Sequence, residues 1–183
     1  MTNNGAWYRQ PESFIALAAL IVSLSAAIVG IYEASLQRTH DRAEVWPHVE
    51  ISTFIADHGA EVSVENTGVG PAIINSVVVS VDDSSRKNWD DVVRALANGT
   101  PPRFGTTTVI DHALRGGEKV AMLSIATENL PPDFWKWIAR VSISICYRSI
   151  FDDHWTVSDE HLGGSSTWRV VSDCPTPTKR VEF

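Results

Sequence analysis

Residues 49–65 read VEISTFIADHGAEVSVE, and their apolar positions recur every second residue. Val49, Ile51, Thr53 and Ile55 alternate with Glu50, Ser52 and Phe54, which is the pattern of a strand buried on one face. Asp57-His58-Gly59 then supplies turn chemistry, and Val62 and Val64 alternate with Glu61, Ser63 and Glu65. The two runs predict a hairpin.

The same period continues toward the carboxy terminus. Residues 66–72, Asn-Thr-Gly-Val-Gly-Pro-Ala, interrupt it, and nine residues rich in Val and Ile follow at 73–81. Further strands are predicted at 104–111, 119–126, 140–150, 154–158 and 167–172. Two short helices break the series. One spans 89–97, with Trp89, Val92, Val93 and Leu96 on one face and Asn88 as N-cap; the other begins at Pro131-Pro132 and runs through Phe134, Trp135, Lys136, Trp137 and Ile138. About eight short strands separated by turns predict a mainly β fold, an immunoglobulin-like β-sandwich with short helical inserts, and a small barrel is the other architecture compatible with that pattern.

Toward the amino terminus the chain changes character. Trp46-Pro47 stops any helix arriving from upstream, because proline disfavours the helical conformation in the residue before it. Residues 33–45, EASLQRTHDRAEV, contain no breaker and read as a helical stalk of roughly 20 Å. Residues 14–32, FIALAALIVSLSAAIVGIY, carry no charge; as a helix they are about 28 Å long, close to the hydrocarbon thickness of a bilayer. Trp7, Tyr8 and Tyr32 stand where interfacial aromatics sit. Ser25-Ala26-Ala27 resembles a signal-peptide cleavage site, but the apolar run continues through Ile28, Val29 and Ile31, so the segment reads as an uncleaved transmembrane anchor. The expected organisation is a tail at 1–13, the span at 14–32, the stalk at 33–45, the sandwich at 46–173 and a flexible tail at 174–183.

Composition restricts the partners. A formal net charge of -7, without a block of Lys or Arg, argues against nucleic acid, whose phosphates need a basic footprint. Two cysteines, Cys146 and Cys174, are too few for a disulfide scaffold and leave open whether they pair. Arg9 on one side of the span and Arg38 and Arg42 on the other leave the side of the soluble domain undecided. No motif calls for a cofactor.

Several residues resemble a known group. Val62-Ser63-Val64-Glu65-Asn66-Thr67-Gly68, followed by Pro71-Ala72 and the strand at 77–81, resembles the strand–Asn-x-Gly–strand signature of bacterial immunoglobulin-like modules of the CARDB type. Leu114-Arg115-Gly116-Gly117-Glu118 before the strand at 120–125 is similar to the same modules' approach to a later strand. Together with the anchor, Arg38-x-His40-x-Arg42, the run Tyr147-Arg148-Ser149-Ile150-Phe151 and Trp155, these motifs resemble those of single-pass bacterial membrane proteins. The resemblance implies a sandwich and a bacterial inner-membrane location, and no particular activity. The helical insert at Trp89 departs from it.

The candidate sites follow from exposed-looking loops. Partner contacts are expected from Asn66, Gly68, Gly70 and Pro71 in one loop and from Phe151 and His154 in another. Trp135 and Trp137 divide evenly between core and aromatic anchor, whereas Trp155 and Trp168, in strand-like surroundings, read as core. Ala19, Ser23, Ala27 and Gly30 form a small-residue stripe on which the spanning helix could associate with another. Asp152, Asp153, His154, Asp159, Glu160 and His161 have metal-compatible side chains but no established spacing, so they read as solvated turns and no metal is expected. The resulting expectation is a membrane-anchored, non-enzymatic binding or assembly module that engages a protein partner or itself close to the bilayer. The alternatives are a ligand-sensing effector that oligomerises through its transmembrane helix and a metal-dependent hydrolase using His154 and His161.

Overall fold

The computed structural model describes residues 11–57, 59–97, 99–175 and 182–183. The interfacial Trp7 and Tyr8, Arg9, the turn residue His58 and residues 176–181 of the expected tail lie outside the described residues. The chain divides into two compact units, residues 1–43 and 44–183.

The described part of the first unit is helical and belongs to α1 (Pro11–Glu44), 34 residues long. Proline is tolerated at its first position, where no intrahelical donor is needed. Several of its hydroxyls are satisfied within the helix: Ser23 donates to the Leu20 carbonyl at 2.9 Å, Ser25 to Ile21 at 2.8 Å and Ser35 to Tyr32 at 2.7 Å. None of its residues is buried, and it is long and apolar enough to cross a membrane. The segments expected as span and stalk are one uninterrupted helix to Glu44.

The second unit is a β-sandwich. Its strands are β1 (Val49–Ala56), β2 (Gly59–Asn66), β3 (Ala72–Val81), β4 (Ser84–Ser85), β5 (Gly105–Thr106), β6 (Ala113–Leu114), β7 (Lys119–Ala126), β8 (Val141–Arg148), β9 (His154–Asp159) and β10 (Thr167–Val171). One antiparallel sheet has the order β1-β2-β7-β5 and the other β10-β9-β8-β3-β4, with β6 also on β3. The hairpin read from residues 49–65 forms with Thr53 opposite Val62 and Ala56 opposite Gly59. A register shift between Ile74 and Ser76 in β3 lets Ile74, an even position, and Val77, Val79 and Val81, odd ones, all reach the core. They meet Val49, Val62, Val64 and Ile125 from the facing sheet.

The helical inserts close the core. α2 (Trp89–Leu96) buries Trp89, Val92, Val93 and Leu96, and the Asn88 side chain accepts from Asp91 N at 2.9 Å as its N-cap. α3 (Phe134–Ile138) buries Phe134, Trp137 and Ile138. The helical period therefore separates the two uncertain tryptophans: Trp137 is 5% exposed and Trp135, one side-chain direction away, is 66% exposed.

Three expectations need correction. The strand expected at 104–111 survives only as Gly105–Thr106; Val109 N and Ile110 N instead donate to the Phe183 carbonyl at 2.8 and 3.2 Å, and Asp111 takes a positive φ. Trp168 is not core: it lies on the terminal strand of its sheet and is 39% exposed, while Trp155, one strand further in, is half-buried. The described ends of segment 174–183 are held in place. Cys174 is disulfide-bonded to Cys146, and Phe183 is fully buried with its ring edge-on to Trp89 at 5.5 Å.

Candidate functional site

Pairing of β3 with β8 places Ile73 opposite Arg148, so the loops just beyond those residues, 66–71 and 149–153, share one end of the sandwich. Pairing of Ala72 with Leu114 brings a third loop, 111–118, to the same end. The chain also enters the sandwich here, through Trp46 and Pro47. The two loops expected from sequence as partner contacts thus converge, although they are about 80 residues apart in the chain.

Within the first loop the motif residues face inward. Asn66 is fully buried and uses its whole amide: Oδ1 accepts from His48 N and Gly68 N, both at 3.1 Å, and Nδ2 donates to the Gly70 carbonyl at 2.7 Å and the Leu114 carbonyl at 3.0 Å. Val69 N donates to the Trp46 carbonyl at 3.1 Å and Thr67 N to the His48 carbonyl at 2.8 Å. The loop wraps the incoming chain so closely that a Cβ on Gly70 would come within 1.8 Å of the Val45 carbonyl oxygen, and one on Gly68 within 2.3 Å of His48 N. Asn66, Gly68 and Gly70 are therefore a collar around residues 45–48. They are not a contact surface, and Pro71 is half-buried beside them. The residue this loop presents is Val69, 72% exposed between the two glycines.

The second loop is built around Ser149. Its buried hydroxyl accepts from Phe151 N at 3.1 Å and Asp153 N at 3.3 Å, and Ser149 N donates to the Asp153 carbonyl at 2.9 Å. This tight turn, with Asp152 at φ 65°, pushes Ile150 and Phe151 outward. Asp152 is held by Arg148 at 3.1 Å. His154 is largely covered; its ring lies 3.8 Å from Asp152 and 3.9 Å from Asp173. In the third loop Glu118 accepts from Arg115 N at 2.8 Å and faces His112; the Arg115 hydrogen bond holds its carboxyl below the usual range.

The large apolar side chains exposed at this end are Trp46, Val69, Ile150 and Phe151, and Thr67, Arg115 and Asp152 are exposed in the same loops. Next to them His48 stacks on Trp168 at 4.8 Å and meets Trp46 at 5.1 Å. Sequence reasoning found Phe151 but missed Trp46, Val69 and Ile150. The glycines around Val69 were the visible signal, and their presence marks where the backbone is closest to its neighbours.

The remaining expected sites lie apart. Trp135 is exposed on α3, which follows β7 and precedes β8 and so sits at the opposite end of the sandwich. Ala19, Ser23, Ala27 and Gly30 fall on one exposed face of α1. The His154 and His161 cluster is split, because β9 separates the two histidines by about 20 Å. Among the described residues no three His, Cys, Asp or Glu side chains gather as a metal site. Two open clefts, of about 410 Å³ beside Phe54, Gly59 and Ala126 and about 380 Å³ beside Pro102, Asn129 and Trp137, lie away from the converging loops. Asp159, buried at the end of β9, accepts from His161 N at 3.2 Å, and burial pushes its carboxyl above the usual range.

No family model, curated protein or solved structure matches this chain.

Proposed function

We propose that this chain is a membrane-anchored, non-enzymatic binding module of the CARDB-like kind, held in a bacterial inner membrane by α1, with its sandwich on the oxidising side and its converging loops presented to a protein partner. The observation that carries this reading is the loop end: Trp46, Val69, Ile150 and Phe151 are exposed apolar side chains on turns fixed by Asn66 and Ser149. Rigid apolar tips bind with little loss of loop entropy. The Cys146–Cys174 pair supports the choice of side, since such bonds form and persist outside the reducing cytoplasm.

Two measurements on the full-length chain in native membranes test it. A photo-crosslinking residue at Val69 or Phe151 should give one adduct of common mass, and the same residue at Glu128, exposed at the other end, should give none. Acid-trapped membranes treated with a polymer maleimide in SDS should show no mass shift unless reduced first. Shifted wild-type protein without reduction would place the domain on the cytoplasmic side, and adducts from Glu128 alone would remove the loop end from the binding role.

A further inference from the structure

β1 is a terminal strand of the first sheet. The His48 carbonyl accepts from Thr67 N, so even-numbered positions of β1 hydrogen-bond toward β2 and odd-numbered ones direct their main chain outward. Val49 fits this parity, and its outward groups are already taken: its N–H donates to the Tyr147 hydroxyl at 3.4 Å and its carbonyl accepts from the Trp168 indole at 2.7 Å. Beyond Val49 the outward row is Ile51, Thr53 and Ile55, on a strand that ends its sheet. Edges of that length are templates for another strand.

Three further observations concern this edge and its surroundings. The Thr53 hydroxyl oxygen is buried and has no hydrogen-bond partner among the described residues. Phe54, on the opposite face, is 61% exposed. β1 lies against β9, and the next strand of that sheet, β10, carries Val170, 80% exposed, in register with Trp155 and therefore on the inward face. The second sheet thus reaches one strand further than the first.

We infer that two copies of this chain pair their β1 strands antiparallel about a two-fold axis at Thr53. In that register Ile51 faces Ile55 of the second copy and Thr53 faces its counterpart, so the two orphan hydroxyls meet on the inward face, where cross-strand Thr–Thr bonds form. Glu50 faces Ala56, so no like charges oppose each other. Phe54 faces Ser52 and lies diagonal, at about 7–8 Å, to the other Phe54. Val49 falls opposite Asp57, past the strand end, and keeps its bonds to Tyr147 and Trp168. Of the other terminal strands, β4 and β5 have two residues each, and self-pairing of β10 about its middle residue would set two Arg169 guanidinium groups against each other. The two Trp46 residues come to lie about 45 Å apart along the paired strands. This pairing is independent of the loop-end reading.

The test uses the full-length chain in detergent and in lipid nanodiscs. Thr53→Cys should give a covalent dimer under mild oxidation, since directly opposed Cα atoms about 5.5 Å apart suit a disulfide. Ile51→Cys and Ile55→Cys should cross-link when mixed and not when alone. Thr53→Pro, which removes only an outward N–H, should keep the near-UV spectrum of the fold and weaken the dimer roughly tenfold or more by light scattering. Wild-type protein that stays monomeric at tens of micromolar overturns the inference. So does a dimer that survives Thr53→Pro but is lost in Ser23→Ile, which would assign association to α1.

Discussion

Asn66 and Thr53 are polar side chains on neighbouring strands of one sheet, and the structure treats them in opposite ways. Asn66 spends every donor and acceptor of its amide on backbone groups, binding two loops to the incoming chain. Thr53 has a buried hydroxyl with no partner among the described residues. The first sits in the most conspicuous motif of the sequence, Asn-x-Gly-x-Gly-Pro, and the second in an ordinary alternating strand. The contrast teaches that a conspicuous motif can be consumed by its own fold. Interaction surface then has to be sought where groups are left unmatched, because burying a polar group without a partner costs stability that a second molecule can return.

The contrast breaks most readily at the collar. Asn66→Ala removes the partner of two buried carbonyls and two part-buried N–H groups and should cost about 4 kcal/mol, whereas Val69→Ala, three residues on, should stay within about 0.5 kcal/mol. Denaturant unfolding of the full-length chain in detergent measures both, and similar losses would show that the loop is not divided into an inner frame and an outer tip. A smaller effect sharpens the other half. Thr53→Val keeps the shape and removes the orphan hydroxyl, so at dilutions where the protein is monomeric it should raise stability by about 1 kcal/mol; a loss would mean that the hydroxyl is already bonded within one chain.

The smallest expected effect concerns Asp159, a third buried polar side chain, partly served by the His161 and Gly163 backbone N–H groups. Burial raises its folded-state pKa above the unfolded value of about 3.9. The folded chain therefore holds this proton more tightly. The group's contribution is fully present below pH of about 4 and is lost as pH rises through the raised folded value. Asp159→Asn abolishes that loss, so the difference in melting temperature between variant and wild type should grow in favour of the variant from pH 4 toward neutrality. Asp82 and Glu118, whose carboxyls are lowered by hydrogen bonds from Arg140 and Arg115, oppose this slope in both proteins and cancel in the difference. A flat difference would show that Asp159 gains no proton affinity on folding.

Much of the architecture was legible in the residues because it depends on local periods. The two-residue alternation of Val49 to Ile55 and the helical spacing of Trp89, Val92, Val93 and Leu96 each mark a buried face, and the structure buries those faces apart from the partly covered Thr53 and Ile55 at the sheet edge. The uncharged run at 14–32 likewise set a helix long enough for a bilayer. The short strand at 104–111 and the core role of Trp168 were misread for one reason: a strand-like pattern says which residues suit a sheet, and not whether a neighbouring strand is there to pair with or to cover them.

By itself, then, the sequence determined one apolar helix, a series of short amphipathic strands and two helical inserts, since side-chain periodicity and backbone propensity act within a few residues. Only the tertiary structure decided that Cys146 meets Cys174, that Phe183 fills a socket beside Trp89, that loops about 80 residues apart share one end, and that β1 ends its sheet with the Thr53 hydroxyl unpartnered among the described residues. Each of these depends on contacts between residues far apart in the chain, which are fixed by sheet order and register rather than by any local preference.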